Sequence, residues 1–127
     1  MMSTNILRNN TATSDTTTAV TTVLISNSSG GALYLVKESN PNGRWIVPPA
    51  DYILPNMNVH VVATSTGHCE FPIVLTYRAQ DGAEFVFASA NSREDAGTLG
   101  TSASLPHRVS TTMTSGYPSL NVAYVLA

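Results

Sequence analysis

The stretch IVLTYRAQDGAEFVFA, residues 73–88, settles what kind of secondary structure this chain builds. Residues 73–79 and 84–88 are rich in β-branched and aromatic side chains, the types that fit a pleated, half-buried surface. Between them Asp81-Gly82 supplies the residues that accept positive φ in a tight turn, the strongest short hairpin signal in the chain. Outward from this hairpin the same pattern repeats. Residues 19–25, 32–38, 52–54 and 59–64 read as strands upstream, and 108–114 and 120–126 read as strands around the turn Ser115-Gly116-Tyr117-Pro118 downstream. In 32–38, Leu33 and Leu35 fall on one side and Tyr34 and Val36 on the other, a period of two. Residues 27–31, Asn-Ser-Ser-Gly-Gly, are expected to turn the first strand back on the second as a hairpin, and the charged run 91–100 to form a solvated loop. No segment carries a 3.6-residue apolar repeat over a helical length. The expectation is an all-β, single-domain antiparallel β-sandwich over 19–127, preceded by a flexible Thr/Ser/Asn-rich leader, 1–18.

Composition narrows the function. Charged residues are 11% of the 127, against about 25% in an average soluble domain. The net charge is -2 with six Lys and Arg, and these are scattered, so no basic track exists for nucleic acid. The single cysteine, Cys69, rules out an intrachain disulfide and suits a reducing compartment. The first residues hold no apolar core of a signal peptide, and Asn27-Ser28-Ser29, although it fits the glycosylation sequon, is expected to be unmodified.

The residues that could carry chemistry do not assemble into a motif. His60, His68, His107, Cys69 and Glu70 are of metal-ligating type, but there is no Cys-x-x-Cys and no His-Glu-x-x-His, so no metal or cofactor is expected. No Gly-x-Ser-x-Gly elbow is present, and His68 beside Cys69 on a strand would point to the opposite face. A non-enzymatic protein is expected. Trp45, the only tryptophan, stands out instead, because Gly43 and Pro48-Pro49 bracket it in a segment suited to a sheet edge. A partly exposed indole there is the kind of group that docks onto a partner, a glycan or a membrane interface, and with Arg44 to pair with phosphate and Tyr52 beside it forms the candidate binding edge; the alternative for Trp45 is that it caps a small core.

Taken together, Ile25-Ser26-Asn27-Ser28-Ser29-Gly30, Leu33-Tyr34-Leu35, Gly43-Arg44-Trp45-Ile46-Val47-Pro48-Pro49 with Ile53 and Pro55, and Val74-Leu75-Thr76-Tyr77 before Asp81-Gly82 resemble the aegerolysin-like proteins of fungi and bacteria. The likeness runs from about Val20 to Asn121-Val122-Ala123-Tyr124. It implies a sandwich of the actinoporin type that binds membrane lipid, often sphingolipid with sterol, and that is made in the cytoplasm without a signal peptide, then released or held at membrane surfaces. Some members form pores with a separate, larger protein partner. The lytic members usually carry tryptophan-rich lipid-facing loops, whereas Trp45 is alone here, which weighs against lysis. Tyr52, Tyr117 and Tyr124 could share the interfacial role or lie in the core and on sheet surfaces. The rival reading is a self-associating structural protein or a lectin-like module for sugars or proteins, motivated by the same hydroxyl-rich, low-charge surface.

Overall fold

Ten strands and no helix make up residues 18–67 and 70–127, the part of the chain described by the structure, a computed structural model. They are β1 (Val20–Asn27), β2 (Leu33–Ser39), β3 (Gly43–Val47), β4 (Tyr52–Ile53), β5 (Asn58–Ser65), β6 (Glu70–Ala79), β7 (Glu84–Ser92), β8 (Ser102–Ala103), β9 (Val109–Ser115) and β10 (Ser119–Leu126). One sheet has the order β3-β5-β1-β10-β9, the other β4-β2-β6-β7-β8. The chain is thus an all-β sandwich. The expected leader falls almost wholly outside the described residues, as do His68 and Cys69.

The β6–β7 hairpin forms as its sequence dictates. Gly82 sits at φ 90°, the amide of Gly82 donates to Ala79 O at 3.0 Å, and Asp81 Oδ1 accepts from the Ala83 amide at 2.9 Å. Around it the period-two pattern turns Phe71, Ile73, Leu75 and Tyr77 of β6 inward, against Phe85 and Phe87 of β7. From the facing sheet come Val23, Ile25, Val61, Leu120, Val122 and Tyr124. Tyr124 and Phe87 lie 5.0 Å apart at 49°, and Tyr77 meets Phe87 edge-on at 6.0 Å. The two buried phenols are satisfied: Tyr77 donates to Ala50 O at 2.6 Å and Tyr124 to Ala88 O at 2.8 Å. Burial is the main reason that both phenols titrate above the ordinary tyrosine value, with the carboxylates of Asp51 and Glu38 adding to the effect on Tyr77.

Two expectations are corrected, and the antiparallel pattern, which holds in every other strand pair, has one exception. Residues 27–31 do not close a hairpin, because β1 and β2 belong to different sheets; the segment is a corner between layers, and of its residues only Gly30 takes positive φ, at 88°. The antiparallel pattern is broken at the centre of the first sheet, where β1 and β10 run parallel from Val20↔Ser119 to Asn27↔Leu126. The expected loop 91–100 begins two residues late. Asn91 and Ser92 end β7, and Asn91 is fully buried, its amide nitrogen donating to Val20 O at 3.0 Å and Pro118 O at 2.9 Å where that parallel pair starts.

Candidate functional site

The side of the sandwich bounded by β3 in one sheet and by β2 and β4 in the other is built from residues 33–57. Gly43 admits β3 to its place. A Cβ there would stand 2.3 Å from Phe71 Cε1 and 2.6 Å from Thr64 O, so only glycine lets the strand approach β5 and the core together. Pro48 and Pro49 then offer no amide for a ladder, which leaves β3 an edge and sends the chain across to the other sheet. Bulges interrupt pairing between Leu35 and Lys37 and between Trp45 and Val47, leaving Val36 and Ile46 as the extra, exposed residues.

That construction has a consequence for surface chemistry. Of the eleven large apolar side chains exposed among the described residues, seven lie between positions 34 and 57. Tyr34 and Tyr52 face each other in register across β2 and β4, Tyr52 more than half exposed at 52%. Val36 on β2 and Ile46 and Val47 on β3 are exposed as well, as are Leu54 and Met57 ahead of β5. Scattered apolar residues are ordinary on a surface; their concentration on this edge makes it the candidate site.

The three residues singled out from sequence occupy this edge but point in different directions. Trp45 is half-buried and packs against the core, with its indole Nε1 donating to Glu38 Oε1 at 2.9 Å, so the ring spans the seam between the sheets. Arg44, its neighbour on the strand, is exposed on the opposite side, level with Thr64. Tyr52 lies on the outer face of the second sheet with Tyr34. Tyr124 is a core residue, and Tyr117 is half-buried with the Arg93 guanidinium 5.8 Å from its ring centre. Tyr34, Ile46, Val47, Leu54 and Met57 were not named as site residues from sequence, although their clustering around two prolines was there to be read.

At the end of the sandwich where β1 finishes, a second feature opens. A hollow of about 290 Å³ lies between the corner 29–32, the β6–β7 turn and the loop before β9. Gly30 and Gly31 present bare backbone to open space, Asp81 and Gln80 stand on the turn, and His107 Nε2 is 3.9 Å from Asp81 Oδ2. The imidazole leans on Phe85, with ring centres 5.2 Å apart, which fixes its direction. Buried Asn27 braces the floor: its Nδ2 donates to Gly31 O (2.9 Å), Ile53 O (3.0 Å) and Leu54 O (3.2 Å), and its Oδ1 accepts from the Ser29 amide and hydroxyl. Nothing local in the sequence announces the hollow, since its residues come together only through topology.

His60 lies on the exposed face of the first sheet, beside a shallow depression of about 300 Å³ with Thr22, Leu24 and Asn121, remote in topology from His107. Among the described residues no three His, Cys, Asp or Glu side chains gather as a metal site would require.

No family model and no curated protein matches the chain by sequence. Solved structures do. The lipid-binding protein Nakanori superposes over 86% of this chain and 71% of its own at a TM-score of 0.75 and 12% identity. The wild-type lectin XCL of Xerocomus chrysenteron matches over 87% of this chain and 100% of its own at 0.61 and 12%. IP-1A from Alcaligenes faecalis matches over 85% and 89% at 0.55 and 10%. At such identities the likeness is one of fold alone, a β-sandwich, which is the architecture that the resemblance drawn from the sequence also implied.

Proposed function

We propose that this protein is a non-enzymatic binding module that attaches to membrane lipid through the β2–β3–β4 edge. The observation that carries the reading is the concentration of exposed apolar side chains on that edge, with Tyr34 and Tyr52 paired at its centre. Phenols of this kind sit at headgroup depth, the ring in the apolar zone and the hydroxyl in water. Arg44 adds a phosphate partner at the rim, but one arginine holds a protein to anionic lipid only weakly, so attachment depends on apolar contact and on the headgroup. The Nakanori likeness supports a lipid ligand. The family resemblance extends the proposal to sphingolipid with sterol as target, to a place beside a larger pore-forming partner, and to cytoplasmic synthesis followed by association with membrane surfaces. A second reading, binding of a saccharide, is favoured by the hollow with its Asp81, Gln80 and His107, and by the likeness to a lectin.

Liposome sedimentation with Tyr34→Ser/Tyr52→Ser decides the first reading. Both side chains are exposed, so the melting temperature should hold, whereas vesicle binding should fall by about tenfold or more, ~1.4 kcal/mol. Unchanged binding would remove the edge as the membrane contact.

A further inference from the structure

The hollow and the apolar edge are held together by one side chain. Asn27 Nδ2 donates both to Gly31 O, on the rim of the hollow, and to Leu54 O, at the end of the apolar edge, at 2.9 and 3.2 Å. A ligand group seated in the hollow therefore leaves whatever is attached to it beside Leu54, Tyr52 and Met57, the side chains proposed to enter the membrane interface. We propose that the ligand is a membrane lipid with an uncharged sugar headgroup, its sugar ring in the hollow and its apolar part against the edge; this rests on the membrane reading above.

The chemistry of the hollow selects the headgroup. No lysine or arginine lines it, so a phosphate would find no permanent cation, and the Asp81 carboxylate would repel it. Sugar hydroxyls suit the same groups, since they donate to a carboxylate or amide oxygen and accept from an amide or imidazole N–H. Gly30 and Gly31, with open space where a Cβ would stand, let a ring approach the main chain. The volume, about 290 Å³, lies at the small end of the range for ligand sites, about 300–1,000 Å³, and suits a single ring. The Asn27 network fixes the floor before the ligand arrives, which limits the ordering cost of binding.

The test uses the full chain and vesicles of phosphatidylcholine alone, or with glucosylceramide, galactosylceramide or lactosylceramide, or with sphingomyelin. The wild type should bind at least one glycosylceramide about tenfold more tightly than phosphatidylcholine alone. Gly31→Leu fills the hollow at a position with no neighbouring atom within 4 Å, and Asp81→Asn keeps the turn bond through Oδ1. Both should fold as the wild type does by thermal melting and keep the binding to plain vesicles; Gly31→Leu should lose the glycosylceramide preference, and Asp81→Asn, which exchanges a charged acceptor for a neutral amide oxygen, should weaken it. A preference that survives Gly31→Leu overturns the proposal, as does equal binding to all vesicles or a preference for sphingomyelin; in these cases the apolar edge stands. Binding of free lactose without sedimentation on any vesicle overturns the membrane reading as well.

Discussion

Trp45 on the edge of one sheet donates its indole N–H to Glu38 on the other, across 2.9 Å, and so ties the two layers at the side where each sheet ends. The bond uses the polar atom of the ring while its apolar body packs on the core. Two substitutions separate these contributions. Trp45→Phe keeps most of the packing and leaves Glu38 to water, and should cost about 1 kcal/mol or less. Trp45→Ala also removes the packing of a half-buried ring, and should cost about 2 kcal/mol, below the ~3–5 kcal/mol of a fully buried aromatic. Urea unfolding of the three proteins checks the order. As the sole tryptophan, Trp45 should also shift its fluorescence little on vesicle binding, because its ring already sits in the seam.

Gly43 should tolerate no side chain. In Gly43→Ala the new methyl collides with Phe71 Cε1 at 2.3 Å and with the Thr64 carbonyl at 2.6 Å, and a backbone oxygen held in the β3–β5 ladder has little room to move. Overpacking of this kind typically costs about 1–3 kcal/mol. The loss should appear in the unfolding midpoint, and a midpoint equal to that of the wild type would show that β3 can shift as a unit.

How much of this could be read in advance depends on whether the cause was local. The Asp81-Gly82 hairpin, the alternation in β2 and the β9–β10 hairpin follow from neighbouring residues, and all three appear in the structure. The partners of β1 do not. Val20–Asn27 pairs with β5 and, in parallel, with the last strand of the chain, an arrangement that no window of sequence encodes. The site divides in the same way: Trp45 and Tyr52 are visible because prolines and glycine bracket them, whereas His107 and Asp81 approach one another only because β7 and β8 intervene. Arg44 and Trp45 show the limit of adjacency, since neighbours on a strand face opposite ways.

Asn27 should be among the most sensitive polar positions. Asn27→Ala withdraws the donor from three carbonyls, Gly31, Ile53 and Leu54, in a place closed to water. A buried group left unsatisfied costs about 1–3 kcal/mol, and since the bonds to Gly31 O and Leu54 O are only partly buried while that to Ile53 O is buried, a loss of about 3 kcal/mol in all is expected. Asn27→Asp should be no milder, because it aims a carboxylate at the same carbonyl oxygens. Hydrogen exchange should show the loss at residues 28–32 and 54–57 before it reaches β6, and uniform loss would mean that the corner is no separate unit.

The buried phenols predict a limit at high pH. Tyr77 and Tyr124 titrate above the ordinary value of 10.0 in the folded chain, chiefly because burial disfavours the phenolate. In the unfolded chain both ionise near 10, so above that pH the unfolded state holds fewer protons than the folded state. The slope of unfolding free energy with pH is proportional to protons bound unfolded minus protons bound folded, which is negative there. Their contribution is therefore complete below about pH 10 and falls as pH rises past it. Tyr77→Phe should lower stability at neutral pH, since it leaves Ala50 O without its 2.6 Å donor, but it should flatten the decline between pH 10 and 12. Denaturant unfolding across that range separates the two effects, and an equally steep decline in Tyr77→Phe/Tyr124→Phe would assign the alkaline limit to other groups.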